Sequence, residues 1–163
     1  MVRPPDVGAP APEFTLPGLL FDGEAAERRT YRLADAEGGP LVLAFYPGDD
    51  TLVCTRQLCS YASDLDRFRE LGAAVWGISP QDLDSHERFA RKHRLTFPLL
   101  ADGGEAVAAA YGITARGLGL RRSVFVLDGQ GTVRWRHIAL LGLTFTRVDA
   151  LAEQLSLLRE GGG

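Results

Sequence analysis

Cys54 and Cys59, five residues apart, are the side chains of this sequence whose type and spacing could do chemistry. They lie in the stretch Ala44 to Cys59, AFYPGDDTLVCTRQLC, which reads in three physical parts. Leu41-Val42-Leu43-Ala44-Phe45-Tyr46 is a short apolar run, partly β-branched and aromatic, and predicts a buried strand. Pro47-Gly48-Asp49-Asp50 is a turn cluster that must end it. Asp50 or Thr51 can then cap a helix whose first turn carries Cys54. At such a position unpaired backbone N–H groups and the positive end of the helix dipole favour a thiolate. That setting lowers a cysteine pKa and makes it a nucleophile; without it, two buried thiols would be small hydrophobes.

The spacing adds a second inference. On a helix, residues five apart are separated by roughly 140° around the axis and about 7.5 Å along it. Their Cα atoms are then roughly 8–9 Å apart, beyond the ~7 Å limit for a disulfide without backbone movement. Cys54 falls on the apolar face and Cys59 is directed away from it. A bond between them requires the first turns to unwind, so the pair predicts an element with two states. It also argues against a Cys-x-x-Cys dithiol. Zinc held by Cys54, Cys59 and a histidine is a weak alternative, because C-x₄-C has no second cysteine pair beside it. His86 and His93 share a helix face with Phe89 and Ala90 and read as packing residues; His137, in a strand, is no better a ligand. Gly117-Leu118-Gly119 lacks the strand–loop–helix setting of a phosphate loop. No Cys–His–Asn protease pattern is present.

The elements that must position this stretch can be read in order. Residues 1–12 are rich in Pro and Ala and predict irregular chain. Phe14-Thr15-Leu16 and Thr30 to Leu33 predict two short strands, with Gly18 to Arg29 an exposed hairpin loop between them. Ala34 to Pro40 is a further loop. After the turn, Cys54, Leu58, Tyr61, Leu65 and Phe68 recur at spacings of three and four, so one helix face carries them, and Gly72 ends that helix. Ala73 to Ser79 is a second apolar strand, Asp82 to Arg94 a charged amphipathic helix, and Leu95 to Leu100 extended. Glu105 to Tyr111 is a short helix. Ser123 to Asp128 and Thr132 to His137 form a hairpin about Gly129-Gln130-Gly131. Val148 to Leu158 is a last amphipathic helix before the frayed Gly161 to Gly163. Strands alternating with helices, then a hairpin and a terminal helix, predict an α/β fold around a central mixed sheet. No repeat or linker divides it, so residues 1–163 are expected to form a single domain.

Composition narrows the function. The chain has 163 residues, of which 45% are hydrophobic, enough for one substantial core. A net charge of −3 gives no basic field for nucleic acid or an anionic membrane. The apolar runs fall far short of the ~20 residues a membrane span needs, and the N-terminus has no apolar segment of a secretory signal. A cytoplasmic location is the expectation, and in that reducing compartment two nearby cysteines are redox-active more readily than structural.

Pro47-x-x-x-Thr51-x-x-Cys54 resembles the P-x-x-x-T-x-x-C signature of the peroxiredoxins. The wider FYPGDDTLVCTRQLC resembles the bacterioferritin-comigratory (peroxiredoxin Q) branch, in which a second cysteine follows at the fifth position. VGAPAPEFTLPG, VWGISPQDLDSHERFARKHRLTFPLLAD and RSVFVLDGQGTVRW are similar to their family counterparts too, so the likeness covers most of residues 7–137.

This resemblance implies a thioredoxin-like fold, with the N-terminal β-hairpin as an extension, and reduction of hydrogen peroxide and organic hydroperoxides by a thiol without a cofactor. Cys54 matches the peroxidatic cysteine, which becomes a sulfenic acid. Thr51 matches the hydroxyl that orients thiolate and peroxide, and Pro47 the ring that shields them from water. Arg122, six residues before Asp128, matches the active-site arginine, while Arg121 beside it reads as a surface charge. Cys59 matches the resolving cysteine of an intramolecular Cys54–Cys59 disulfide, reduced in turn by thioredoxin or a similar dithiol. The resolving thiol is local, so a monomer or weak homodimer suffices. A redox sensor or holdase using the same cysteines without turnover is the alternative from another class. Two departures stand out. Gln57 occupies the place where the branch commonly has a glutamate, and an amide can hydrogen-bond but cannot ion-pair. The segment from Gly18 to Arg32 is also longer than usual.

Overall fold

In the computed structural model, residues 2–36, 38–49, 51–115, 119–139 and 145–161 are described. They form, in order, β1 (Thr15–Phe21), β2 (Ala26–Arg32), a 3₁₀ turn (Leu33–Asp35), β3 (Leu41–Phe45), α1 (Leu52–Ser63), α2 (Leu65–Glu70), β4 (Ala74–Ser79), α3 (Leu83–His93), β5 (Leu99–Ala101), α4 (Ala106–Ala110), β6 (Thr114–Ala115), β7 (Gly119–Leu120), β8 (Ser123–Leu127), β9 (Val133–Ile138) and α5 (Val148–Gly161). Seven strands make one sheet in the order β2-β1-β5-β4-β3-β8-β9, while β6 and β7 form a small separate ribbon. β3, β4 and β5 run parallel; β8 and β1 join them antiparallel, so the sheet is mixed.

The apolar run at 41–46 lies inside this sheet because both its faces are covered. Side chains alternate along a strand, so Val42, Ala44 and Tyr46 enter one core with Cys54, Leu58, Tyr61 and Phe68, together with Phe89 of α3 and Leu151 of α5. Leu41, Leu43 and Phe45 enter the opposite core with Trp76, Ile78, Phe125 and the α4 residues Val107 and Ala108. A strand buried on both faces must be apolar at every position, as this one is. Each fully buried large side chain contributes about 1.5–3 kcal/mol.

The helix carrying the cysteines has the predicted buried face but is not continuous. Asp64, at φ −108° and ψ 22°, separates α1 from α2. Aspartate is a weak helix former that favours helix ends. Gly72, at φ +74°, lets Ala73 N–H return to the Phe68 carbonyl and closes α2. α3 has the boundaries its sequence predicts: Asp82 caps it by accepting from Ser85 N–H at 2.8 Å, and Arg94 leaves it in the left-handed region.

The N-terminal hairpin corrects the sequence reading. Gly18 to Arg29 is not an exposed loop; β1 and β2 pair over seven residues each, and only Asp22 to Ala25 turns. Pro17 and Gly18 look like punctuation, yet Leu19 and Phe21 are buried and the Gly18–Leu19 backbone pairs with β5. Gly18 is required by close approach, since a Cβ there would overlap the Tyr31 ring. Gly18→Ala should therefore destabilise the protein by about 1–3 kcal/mol through overpacking, read as a lowered denaturant midpoint. An unchanged midpoint would mean that the Tyr31 ring swings aside at no cost.

Candidate active site

Strand register assembles the site. Phe45 of β3 pairs with Ser123 of β8, so Arg122 stands beside the point where the chain leaves the sheet at Tyr46. From there the turn leads to Thr51, the N-cap of α1, with extended backbone at φ −81° and ψ 154°. Its hydroxyl does not cap the helix; it makes a long contact, 3.4 Å, to the Gly48 carbonyl. Asp50, the other expected cap, lies outside the described residues, as do Gly117 and Leu118.

Cys54 is the third residue of α1 and 0% exposed. No acidic side chain lies in that first turn to oppose the helix dipole. Arg122, also buried, donates from Nη2 to Cys54 Sγ at 2.9 Å and from Nη1 to Gln57 Oε1. Gln57 in turn donates from Nε2 to Tyr61 Oη at 3.3 Å, and Tyr61 donates to the Thr146 carbonyl. Every bond in this relay runs the same way, from guanidinium through amide and phenol to backbone. Burial pushes the Tyr61 hydroxyl well above its ordinary pKa, against smaller opposing effects of Gln57 and Arg122, so it stays a donor.

The sequence-derived residues therefore divide. Cys54 and Arg122 are in direct contact, and Thr51 and Pro47 lie in the turn and cap that precede Cys54, both exposed. Arg121 is exposed, as a surface charge would be. Cys59 lies on the same helix, a free thiol like Cys54. It does not point away from the apolar face, but is half-buried against the core. Among the described residues there is no group of three or more His, Cys, Asp or Glu side chains able to hold a metal ion. His86 is more than a packing residue: both its ring nitrogens are hydrogen-bonded, to Asp49 and to the Leu100 carbonyl. Tyr61, expected only as part of the apolar helix face, and Thr146 join the site through the phenol hydroxyl; the four-residue step from Gln57 to Tyr61 is the signal for it in the sequence.

Burial also raises the Cys59 pKa above the ordinary thiol value, so at neutral pH this group is held as a thiol. In Cys54→Ser, alkylation of Cys59 should rise with pH along a curve displaced to higher pH than that of a free cysteine, and return to the ordinary curve in denaturant. Coincident curves in the folded and unfolded protein would show that burial does not restrain this thiol.

The pattern of the AhpC/TSA family matches residues 7–136. The chain is 37% identical over 130 residues to the chloroplastic peroxiredoxin Q of Triticum aestivum, a match covering 78% of this chain and 57% of the wheat protein. It thus spans little more than half the length of that relative. With peroxiredoxin Bcp of Bacillus subtilis (strain 168) the identity is 32% over 164 residues, covering 95% of this chain and 96% of that one. Among solved structures, Mycobacterium bovis AhpC superposes with a TM-score of 0.85 at 20% identity, covering 98% and 95% of the two chains. Enterococcus faecalis AhpC gives 0.84 at 21% identity over 96% of each.

Proposed function

The chain belongs to the AhpC/TSA family, in its peroxiredoxin Q and Bcp branch, and from that premise we propose that it is a thiol peroxidase. The observation that carries the reading is the buried contact of Arg122 with Cys54 at a helix N-terminus. In the first step the Cys54 thiolate attacks the terminal oxygen of a hydroperoxide. The O–O bond breaks, sulfur is oxidised to a sulfenic acid, and the alkoxide or hydroxide leaves with a proton as alcohol or water. Arg122 stabilises both the thiolate and the charge growing on the departing oxygen. Thr51 orients the peroxide and Pro47 covers the approach. Cys59 then condenses with the sulfenic acid, forming the Cys54–Cys59 disulfide and releasing water. An external dithiol, thioredoxin being the proposed one, takes up the oxidising equivalents by becoming a disulfide itself.

No helix of the described residues is long and apolar enough to cross a membrane. The reading treats residues 1–163 as one peroxiredoxin domain, acting as a monomer or weak homodimer in a reducing compartment, the cytoplasm by default. Turnover separates this enzyme from a redox sensor or holdase, which would be oxidised once and stop.

Peroxide consumption with thioredoxin, thioredoxin reductase and NADPH tests the assignment. Cys54→Ser should be inactive, whereas Cys59→Ser should complete one turnover to a trappable sulfenic acid. Arg122→Ala should slow peroxide attack by a factor corresponding to about 3 kcal/mol, with Arg122→Lys restoring it only in part. Repeated turnover by Cys54→Ser would remove the nucleophile from this scheme.

Both cysteines lie within α1, which is unbroken from Leu52 to Ser63, so the disulfide requires its first turns to open. Hydrogen exchange should be faster at residues 54–60 in the oxidised than in the reduced protein, with Cys59 exposed as the helix opens. Equal protection in the two forms would point to a disulfide between molecules.

A further inference from the structure

The turn that delivers Pro47 and Thr51 is anchored from behind by buried groups distinct from the Arg122 relay. Asp49 has a side chain only 3% exposed, and three donors converge on its carboxylate. Tyr46 donates to Oδ1 at 2.7 Å, while Ser85 Oγ at 2.7 Å and His86 Nδ1 at 2.8 Å approach Oδ2. Burial, with the Asp49 carboxylate adding to it, pushes the Tyr46 hydroxyl well above its ordinary pKa, so this donor keeps its proton. His86 comes from α3 and is fully buried; its Nε2 lies 3.0 Å from the Leu100 carbonyl oxygen of β5. A backbone carbonyl can only accept, and a carboxylate already receiving two hydroxyl donors accepts as well. Both ring nitrogens thus face oxygen acceptors, the arrangement that an imidazolium beside a carboxylate would satisfy.

The geometry points to the Asp49–His86 ion pair as the positioning element of the peroxide reaction: it ties the turn between β3 and α1 to α3 and β5, so that Pro47 and Thr51 present one arrangement to the substrate. The inference rests on the peroxidase reading of Cys54. Within the described part of the turn, Pro47 has no N–H, Gly48 has no side chain, and the Thr51 hydroxyl makes only a long contact. Asp49 supplies the buried side-chain anchor. Removing either partner leaves the other's charge buried and unmatched, so its loss should be felt in the turn. Asp49 and His86 act on the site through the turn that carries Pro47 and Thr51.

Two measurements test this. ¹⁵N spectra of the reduced wild-type protein at neutral pH should show both His86 nitrogens protonated; a neutral ring would overturn the ion pair without any variant. Rates of peroxide attack and of iodoacetamide alkylation of Cys54 should then be compared in His86→Gln, Asp49→Asn and Asp49→Ala, each made in a Cys59→Ser background. Alkylation needs the thiolate but not the oriented turn. Peroxide attack should fall by about tenfold to a hundredfold in His86→Gln and Asp49→Ala, the scale of a misplaced reacting group, while alkylation barely changes. Asp49→Asn should recover part of the peroxide rate, since its amide can bond a neutral His86. Equal losses in both reactions, or a wild-type peroxide rate in His86→Gln, would overturn the positioning role. A wild-type protein inert to hydroperoxides would defeat the proposed function, whereas a neutral His86 in an active protein would defeat only the ion pair.

Discussion

A guanidinium taken out of water must be met by acceptors, or the fold loses several kcal/mol. Arg122 is such a group, and much of the local architecture follows from meeting it. The antiparallel pairing of β8 with β3 delivers it to the end of β3. The helix that follows must then start close enough for two of its side chains to reach two different guanidinium nitrogens. Cys54 and Gln57, one turn apart on the same face, do this. The planar fork of an arginine can serve both at once, which the single nitrogen of a lysine cannot do as well.

α1 is under two opposing demands in this scheme. It must be ordered enough to hold a thiolate in the field of its N-terminus, and yields if its two cysteines are to meet. Its order comes from the buried face of Cys54, Leu58 and Tyr61. The interruption at Asp64 keeps the demands apart, because α2 packs Leu65 and Phe68 into the same core as a separate segment. An opening of α1 can stop at Ser63 without dragging α2 out of the core.

How far the sequence reveals this depends on how local each cause is. β3 was legible because burial on both faces leaves an uninterrupted apolar run. The face of Cys54, Leu58, Tyr61, Leu65 and Phe68 was legible from its period, and α3 from its capping aspartate. The long N-terminal hairpin was not, because the reason for Gly18 is a ring on the neighbouring strand that no local pattern reveals. His86 looked like packing because its neighbours Phe89 and Ala90 are apolar, while its carboxylate partner lies 37 residues away in sequence. Gln57 was visible as a departure, but the amide acquires its meaning only from Tyr61, whose hydroxyl is hidden when the residue is counted as apolar. The pairing of Arg122 with Cys54 came from resemblance, and its distance only from the fold.

The amide at position 57 has a consequence for the surroundings in which the site keeps its form. A glutamate there would titrate near pH ~4.3 in its unperturbed state, exchanging an acceptor for a donor as the medium acidifies. Gln57 has no such transition. Its two ends are chemically distinct at every pH, one accepting from Arg122 and the other donating to Tyr61. A guanidinium holds its proton throughout, and the buried phenol holds its own well into alkali. The scaffold behind the thiol is thus electrically fixed, and acidity can reach Cys54 without first rewriting the bonds that support it.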